Sequence, residues 1–249
     1  MKRATFCILL TLAAAAGAHA GPPFSTDDPE PVDYGHYELY LASQYQHASG
    51  DSSGTLPHVE LNYGILPNTQ LHLIAPAAFD APAGQPRRTG YGDTELGVKY
   101  RFLEESDGRP QVGVFPLVEL PTGASSRGLG AGHTQVFLPV WIQKSSGKWT
   151  TYGGGGYWVN PGSGNRNWWF AGWLLQRQLL ANLAVGAEVF HETAKGVGIG
   201  PDTKVNVGLT WDLSDQSHIL ASAGPVIQGP SGYQTYVAFQ LTLGPAKLP

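Results

Sequence analysis

The sequence has little cysteine, little charge and no long apolar run after its first twenty residues, and each shortage excludes a class of protein. Its single cysteine, Cys7, lies near the start of the 249-residue chain. The rest of the chain can therefore form neither a disulfide nor a thiolate metal site. Beyond residue 20, no apolar stretch approaches the roughly 20 residues of a membrane helix. From there on, the chain can cross a bilayer only as a closed barrel.

Charged residues are also scarce. Asp, Glu, Lys and Arg make up 14% of the chain, whereas an average globular protein has about 25%. The formal net charge of -4 leaves no excess of basic residues from which a basic patch would be built. We therefore expect no nucleic-acid partner. Net charge alone does not choose a substrate.

The first twenty residues have the pattern of an export signal. Lys2 and Arg3 form a charged start, residues 6–16 form a short apolar run, and residues 18–20 read Ala-His-Ala, a small-x-small cleavage site. The apolar run is too short to span a bilayer, which disfavours the alternative of a retained anchor. We expect residues 1–20 to be removed, so that the mature chain begins at Gly21.

The feature that the chain has in abundance is alternation with a period of two. Residues 93–102 read Asp-Thr-Glu-Leu-Gly-Val-Lys-Tyr-Arg-Phe, so Leu96 and Val98 point to one side while Glu95 and Lys99 point to the other. This is a strand with an apolar face and a charged face. The pattern recurs along the chain, with Trp, Tyr and Phe near the strand ends. It predicts a barrel with lipid outside and water inside.

Twelve segments carry this alternation, and an even number lets both termini lie on one side of the membrane. They are residues 36–47, 58–64, 70–79, 91–102, 111–120, 133–143, 149–160, 168–178, 183–190, 204–213, 218–224 and 233–243. The fold class predicted from them is all-β, a transmembrane antiparallel up-and-down β-barrel of about 12 strands. Residues 36–243 form the barrel in this prediction, and residues 244–249 form a C-terminal tail.

The links between the segments alternate in length. Tight links are predicted at residues 65–69, 105–109, 145–148, 180–182 and 214–217. Longer links rich in Gly, Pro and Ser are predicted at residues 48–55, 80–90, 122–132, 161–167, 191–203 and 227–232. Outer-membrane barrels place short turns in the periplasm and longer loops outside. The alternation therefore indicates which end of the barrel faces which compartment.

Residues 21–35 precede the barrel and are expected to form a periplasmic strap or a short plug in the inner mouth. Prolines keep this segment extended. Asp27, Asp28, Glu30 and Asp33 carry oxygen atoms of the kind that calcium prefers, but their spacing lacks the glycine and the terminal glutamate of an EF-hand loop. We assign no metal site and no cofactor.

Twelve strands lie between the eight that side chains can fill and the sixteen that enclose an open channel, so we expect a narrow bore. Charges on facing strands are expected to pair, with Glu95, Lys99 and Arg101 neutralising Glu119 and either Glu60 or His72. Such charges either brace the barrel or form a polar track for a solute, and both alternatives stay open. The lumen candidates are Glu38, Glu60, His72, Asp93, Glu95, Lys99, Arg101, Glu119, Tyr152, Trp158, Glu188, Lys204 and Asp212.

Aromatic residues gather in two groups on either side of a glycine run at residues 153–156. The groups are Trp149, Tyr152, Tyr157 and Trp158, and then Trp168, Trp169, Phe170 and Trp173. Rings at strand ends are typical of girdles at the lipid–water boundary. The alternative is a stacking surface for an aromatic solute, formed by the inward candidates Tyr152, Trp158 and Phe170. The glycine run lacks the Lys-Ser/Thr of a phosphate loop, and within a strand it permits curvature or close approach of a side chain.

Several motifs together resemble one family. They are Pro-Pro-Phe-Ser-Thr-Asp-Asp-Pro-Glu-Pro-Val at residues 22–32, Gly-His at 35–36, Tyr-Gly-Asp-Thr-Glu-Leu-Gly-Val-Lys-Tyr-Arg at 91–101, Phe-Pro-Leu-Val-Glu-Leu-Pro-Thr-Gly at 115–123, and the stretch 153–160. Over nearly all of the mature chain, the sequence resembles the outer-membrane family labelled "meta-pathway of phenol degradation". The resemblance implies location in the bacterial outer membrane, contact with its lipid, insertion by the barrel-assembly machinery, and a link to aromatic catabolism.

We therefore expect a passive channel or uptake route for small organic solutes, including aromatic ones, and not an enzyme. No nucleotide motif suggests active transport. One alternative is a structural or adhesive barrel, which long outer loops would indicate.

The other alternative is a lipid-modifying enzyme. Ser222 and His218 share one strand face, but a spacing of four residues separates them by roughly 13 Å, too far for proton transfer. His133 near Ser125 and Ser126 is a looser candidate.

Overall fold

The computed structural model describes residues 23–245, most of which lie in β-strands. The predicted export signal, residues 1–20, residues 21–22 of the predicted strap and residues 246–249 of the predicted tail lie outside this described part of the chain. Within it, no helix combines the length and the apolar character needed to cross a membrane. A short 3-10 helix, Ser125–Arg127, lies in one of the loops.

The described residues form fourteen strands in one sheet. These are β1 Tyr37–Ala48, β2 Asp51–Leu66, β3 Thr69–Ala81, β4 Arg88–Tyr91, β5 Thr94–Leu103, β6 Gln111–Val114, β7 Leu117–Leu120, β8 Gln135–Ser146, β9 Trp149–Val159, β10 Trp168–Leu180, β11 Leu183–Glu192, β12 Asp202–Ser214, β13 Ser217–Gln228 and β14 Gly232–Leu243.

The sheet closes on itself. Strand β1 pairs antiparallel with both β2 and β14, and the remaining neighbours continue the antiparallel order until β3 meets β5. Strands β4 and β5 both pair with β3, while β6 and β7 both pair with β5 and β8. Each of these two couples is one barrel strand with a short interruption. The protein is thus a closed antiparallel barrel of twelve strands, which confirms the predicted fold class.

The interruption between β6 and β7 lies at Phe115 and Pro116. A proline has no N–H group to donate to a neighbouring strand, so it is suited to a break in the ladder. The Pro116 carbonyl still accepts a hydrogen bond from the Val98 N–H at 3.1 Å. The wall therefore stays closed where the strand is broken.

The predicted loop at residues 48–55 is wrong. Strand β2 begins at Asp51, which leaves only Ser49 and Gly50 as a two-residue hairpin turn. Both turn residues have positive φ, 53° and 93°, which matches the twist of a tight hairpin. Residues 51–55 are polar or glycine and at least partly exposed, so their composition resembled that of a loop although they pair with the end of β1.

The two faces of the wall follow the alternation. In β5, Leu96 and Val98 are exposed on the outer face, whereas Lys99 is buried on the inner face. The same holds around the barrel, where the exposed apolar side chains include Leu41, Val59, Leu71, Leu73, Leu138, Val140, Leu175, Val189, Val207 and Val237. A continuous apolar outer surface is the surface that a lipid bilayer covers.

Candidate functional site

Residues 23–35, which we call the strap, cross the interior of the barrel. Near one end, the Gly35 N–H donates to the carbonyl of Gly64 on β2 at 2.7 Å. Near the other end, the N–H groups of Ser25 and Thr26 donate to the carboxylate of Glu188 on β11, at 3.0 and 2.8 Å. Strands β2 and β11 lie on roughly opposite sides of the barrel in the strand order. The segment expected at the inner mouth therefore runs across the lumen itself.

A buried charge network holds the middle of the strap to the wall. The Lys99 ammonium nitrogen lies 2.9 Å from Asp27 Oδ1 and 3.7 Å from Asp28 Oδ1. Asp28 is fully buried, and this burial raises the pKa of its carboxyl while the Lys99 ammonium group opposes the shift. A buried charge is tolerated only when it is paired, so this lysine and the strap acids depend on one another.

A second polar contact set surrounds Glu30 of the strap. Its Oε2 atom accepts hydrogen bonds from the side-chain amides of Gln111 and Gln143 at 3.3 and 3.1 Å. One guanidinium nitrogen of Arg101 lies 3.9 Å from Glu30 Oε1. Arg101 also donates to the side chain of Asn68 near the periplasmic turn. Arg101 therefore contacts both the turn and the strap at the tight-turn end of the barrel.

Glycines in the wall make room for the strap. A Cβ atom at Gly172 would lie 2.2 Å from Thr26 Oγ1, and one at Gly208 would lie 2.9 Å from the ring of Phe24. Cβ contacts this short do not occur in folded proteins, so only glycine permits the strap to lie so close. Glycine is therefore required on β10 and β12 where the strap contacts the wall.

Beside the strap lies a cavity of about 1150 Å³. At the tight-turn end, its lining includes the turn residues Asn182 and Gln216. Toward the opposite end, its lining includes Gln44 in the C-terminal half of β1 and Gln234 near the start of β14. By the usual orientation of outer-membrane barrels, the tight-turn end is periplasmic. Six of the predicted lumen residues line this cavity, and they are Glu38, Glu60, His72, Glu95, Lys99 and Asp212.

One side of the lumen is acidic. Glu38, Glu60, Glu95 and Glu119, which we call the acidic wall, project inward from β1, β2, β5 and β7. Glu38 accepts a hydrogen bond from the Tyr40 hydroxyl at 2.7 Å. Glu95 and Glu119 are directly opposite each other in the strand register. The first three of these carboxylates line the cavity, whereas Glu119 is not part of the lining.

The predicted pairing of Lys99 and Arg101 with Glu119 is wrong. Glu119 is opposite Glu95, and Lys99 lies four residues further along the same strand, which corresponds to about 13 Å. Lys99 and Arg101 turn to the strap and the periplasmic turn instead. Of the predicted pairings, the contact between Glu95 Oε1 and His72 Nε2 is present at 2.8 Å.

Asp93 holds a loop and does not line the cavity. Its carboxylate accepts hydrogen bonds from the backbone N–H groups of Gly123 and Ala131 at 2.8 and 2.6 Å. Lys204 also lies outside the cavity lining, where it is 2.8 Å from Glu192 Oε2. These two lumen candidates have structural partners at the barrel rim and wall.

The inward aromatic residues form a packed cluster on the side of β8 to β11. Phe137, Trp141, Trp168, Phe170 and Phe190 are buried together on β8, β10 and β11. The candidate Trp158 stacks between Phe137 and Trp168, with ring centroids 4.7 and 5.3 Å away, and Tyr152 is fully buried. Trp149, Trp169 and Trp173 are exposed on the outer face instead. Both aromatic groups are thus split between the lipid-facing surface and the interior.

The glycine run allows this cluster to pack. A Cβ atom at Gly156 would lie 2.6 Å from the ring of Phe137, and one at Gly154 would lie 3.0 Å from the ring of Trp141. The rings therefore lie directly against the backbone of β9. The cluster fills the side of β8 to β11, the strap crosses the lumen, and the cavity lies mainly on the side of β1 to β5 and β12 to β14.

The residues considered for an enzyme have other partners. The Ser222 hydroxyl donates to the carbonyl of Pro23 in the strap, and His218 Nδ1 lies 2.7 Å from Asp212 Oδ1. His133 Nε2 lies 2.9 Å from Asn160 Oδ1. Ser222 therefore serves to hold the strap.

Several buried cavity residues were not among the predicted candidates. Tyr40, Asn62 and Tyr236 line the cavity and are buried. Each lies at an inward position of its strand, so the period-two alternation could have identified it as a lumen residue. The sequence-based candidates were mainly charged side chains, so these uncharged residues were not included.

The closed twelve-stranded barrel, its apolar outer surface and its polar cavity define a β-barrel of the outer-membrane type. The chain belongs to the family described as "Putative MetA-pathway of phenol degradation", whose model matches residues 39–242. Among curated proteins, none matches the chain.

Solved outer-membrane barrels have the same fold. An outer membrane channel from Pseudomonas putida F1 has a TM-score of 0.69 at 17% identity, covering 87% of this chain and 98% of that one. The KdgM porin in complex with oligogalacturonate has a TM-score of 0.57 at 10% identity, covering 82% and 98%. The translocator domain of the autotransporter NalP from Neisseria meningitidis has a TM-score of 0.56 at 11% identity, covering 84% and 90%. At these identities the likeness establishes the fold alone.

Proposed function

We propose that this protein is a passive outer-membrane channel for small organic solutes, including aromatic ones. The observation that carries the proposal is the cavity, which extends beside the strap from the periplasmic turns to the upper half of β1 and β14. A closed barrel with an unfilled polar passage lets a solute cross the apolar layer without meeting lipid.

The size of solute follows from the filled side of the lumen. The aromatic cluster occupies the side of β8 to β11 and the strap crosses the lumen from β2 to β11, so the passage is narrower than the barrel. Its lining mixes carboxylates, amides and hydroxyls with the rings of Tyr40, Phe115 and Tyr236. Such a surface suits a small solute with both polar and aromatic parts.

The names of two of the similar proteins are consistent with this proposal. One is an outer membrane channel, and the KdgM porin is described in complex with an oligogalacturonate. The family description refers to phenol degradation, which is the reason for including aromatic solutes. Catalysis is not part of the proposal, because Ser222 is hydrogen-bonded to the strap and His218 is paired with Asp212.

Conductance in planar bilayers, together with liposome swelling in sugars, carboxylates and phenols, tests the proposal. Gln44→Trp places a large side chain in the passage and is expected to reduce both signals. Leu41→Trp adds the same side chain to the lipid-facing side of the same strand, where Leu41 is 55% exposed, and is expected to change neither. A folded wild-type barrel that passes neither ions nor any of these solutes would overturn the channel function.

A further inference from the structure

A chain of hydrogen bonds joins two carboxylates of the acidic wall. The Asn62 side-chain NH₂ donates to Glu60 Oε1 at 2.8 Å, so the Asn62 carbonyl oxygen points to His72 Nδ1, 2.6 Å away. His72 Nε2 faces Glu95 Oε1 at 2.8 Å. This hydrogen-bond network therefore runs from Glu60 through Asn62 and His72 to Glu95.

Two carboxyl groups share one imidazole ring in this network. Both ring nitrogens of His72 face oxygen atoms, so the ring supplies at most one positive charge to Glu60 and Glu95. His72 Nδ1 also lies 3.7 Å from Glu60 Oε1. Carboxyl groups therefore outnumber basic groups in this part of the cavity lining.

Among the described residues that line the cavity, no further lysine or arginine is available to balance these carboxylates. Lys99 is the one lysine or arginine among those lining residues, and it is engaged by Asp27 and Asp28 of the strap. Carboxylates in a narrow passage with low-dielectric walls raise the local concentration of cations. The passage therefore carries an excess of negative charge at the acidic wall.

Aromatic residues adjoin the same carboxylates. Tyr40 is the register partner of Glu60, and Tyr236 lies on β14 in the same cavity. The Tyr236 hydroxyl is buried and has no hydrogen-bond partner among the residues described. An ammonium group is recognised by carboxylates and by the faces of aromatic rings, and it can donate a hydrogen bond to such a hydroxyl.

We infer that the segment of the passage formed by Tyr40, Glu60, Glu95 and Tyr236 is a binding subsite for small organic cations of the primary-ammonium class. The inference rests on the proposed channel function for its biological meaning, although binding itself does not require conduction. The carboxylates supply the charge, the unpartnered hydroxyl offers an acceptor for an N–H group, and the rings offer apolar contact to the organic part of the solute.

Three size-matched probes test the subsite. Isothermal titration calorimetry of the full mature protein in detergent uses benzylammonium, neutral benzyl alcohol and anionic benzoate. We expect benzylammonium to bind about tenfold more tightly than the other two, because hydrogen bonds to a charged group are stronger than neutral ones. Equal binding of the three probes, or preference for benzoate, would overturn the inference.

Variants tie the binding to the named residues. Glu60→Gln with Glu95→Gln keeps the size of both side chains and is expected to weaken benzylammonium binding about tenfold or more. Asp107→Asn removes the same charge at an exposed periplasmic turn and is expected to have no effect. Tyr236→Phe, which removes one hydroxyl, is the milder variant if the double variant does not fold. Unchanged binding in a folded variant of either kind contradicts the subsite.

Reversal potentials in a KCl gradient separate this inference from the channel function. A protein that binds benzylammonium but passes no current keeps the subsite and loses the channel function. A protein that conducts without binding benzylammonium keeps the channel function and loses the subsite. Cation preference that falls in the double Gln variant, together with benzylammonium binding, supports both.

Discussion

Lys99 on the wall and Asp27 in the strap form an ion pair of 2.9 Å across 72 positions of sequence. Lys99 is 4% exposed, and its second acidic neighbour, Asp28, is fully buried. This contact joins β5 to a segment that lies inside the lumen and not in the wall. It therefore decides how much of the lumen remains for a solute.

Replacing Lys99 with Met is expected to release the strap. Leaving one partner of a buried ion pair without its counter-charge costs about 3 to 5 kcal/mol, and here two acids lose their cation. Single-channel conductance should rise, and residues 23–35 should become accessible to protease. Lys144→Met is the control, because Lys144 pairs with Glu105 in an exposed position where an ion pair contributes about 1 kcal/mol or less. Unchanged conductance and protease resistance in Lys99→Met would show that the other contacts suffice to hold the strap.

Replacing Val98 with Arg is expected to destabilise the folded barrel in lipid. Val98 lies near the middle of β5 on the outer face and is 41% exposed. An arginine near the bilayer midplane of such a barrel costs about 2 to 4 kcal/mol. Gln44→Arg places the same side chain inside the water-filled lumen and should fold normally. Urea unfolding in lipid vesicles, followed by heat-modified gel mobility, measures both variants, and equal losses would mean that the faces are assigned wrongly.

Replacing Gly156 with Ala is expected to destabilise the aromatic side of the lumen. The new Cβ would lie 2.6 Å from the Phe137 ring and 2.6 Å from the backbone of Pro139. Overpacking of this kind costs about 1 to 3 kcal/mol. Gly108→Ala is the matched control, since a Cβ there meets no atom within 4 Å. The difference in unfolding free energy between the two variants is the measured quantity, and no difference would show that the ring relaxes freely.

Replacing Glu119 with Gln is expected to stabilise the barrel slightly. Glu119 lies directly opposite Glu95 on the inner face, and like charges at such positions are destabilising by roughly 0.2 to 1 kcal/mol. Glu119→Ala is the comparison, because it removes the charge together with the packing of the side chain. A loss of stability in Glu119→Gln would indicate that the carboxylate has a favourable role that the register does not reveal.

The wall of the barrel could be predicted from the sequence because its cause is local. Successive side chains of a strand point to opposite faces, so residues such as Leu96 and Lys99 reveal their sides without knowledge of any partner. The loop at residues 48–55 was the exception. Its polar composition is equally suited to the exposed end of a strand, and composition does not distinguish the two.

The contents of the lumen depended on the tertiary structure. The alternation places Lys99 and Glu119 inside the bore, but it does not say which charges meet, since that depends on strand register and on the path of the strap that carries Asp27. Only the closed barrel brings Lys99 to Asp27 and sets Glu95 opposite Glu119. The sequence by itself determined a lipid-facing barrel, because alternation acts over neighbouring residues. The tertiary structure decided which side of the lumen is filled and which carries the cavity, because those contacts join residues far apart in the chain.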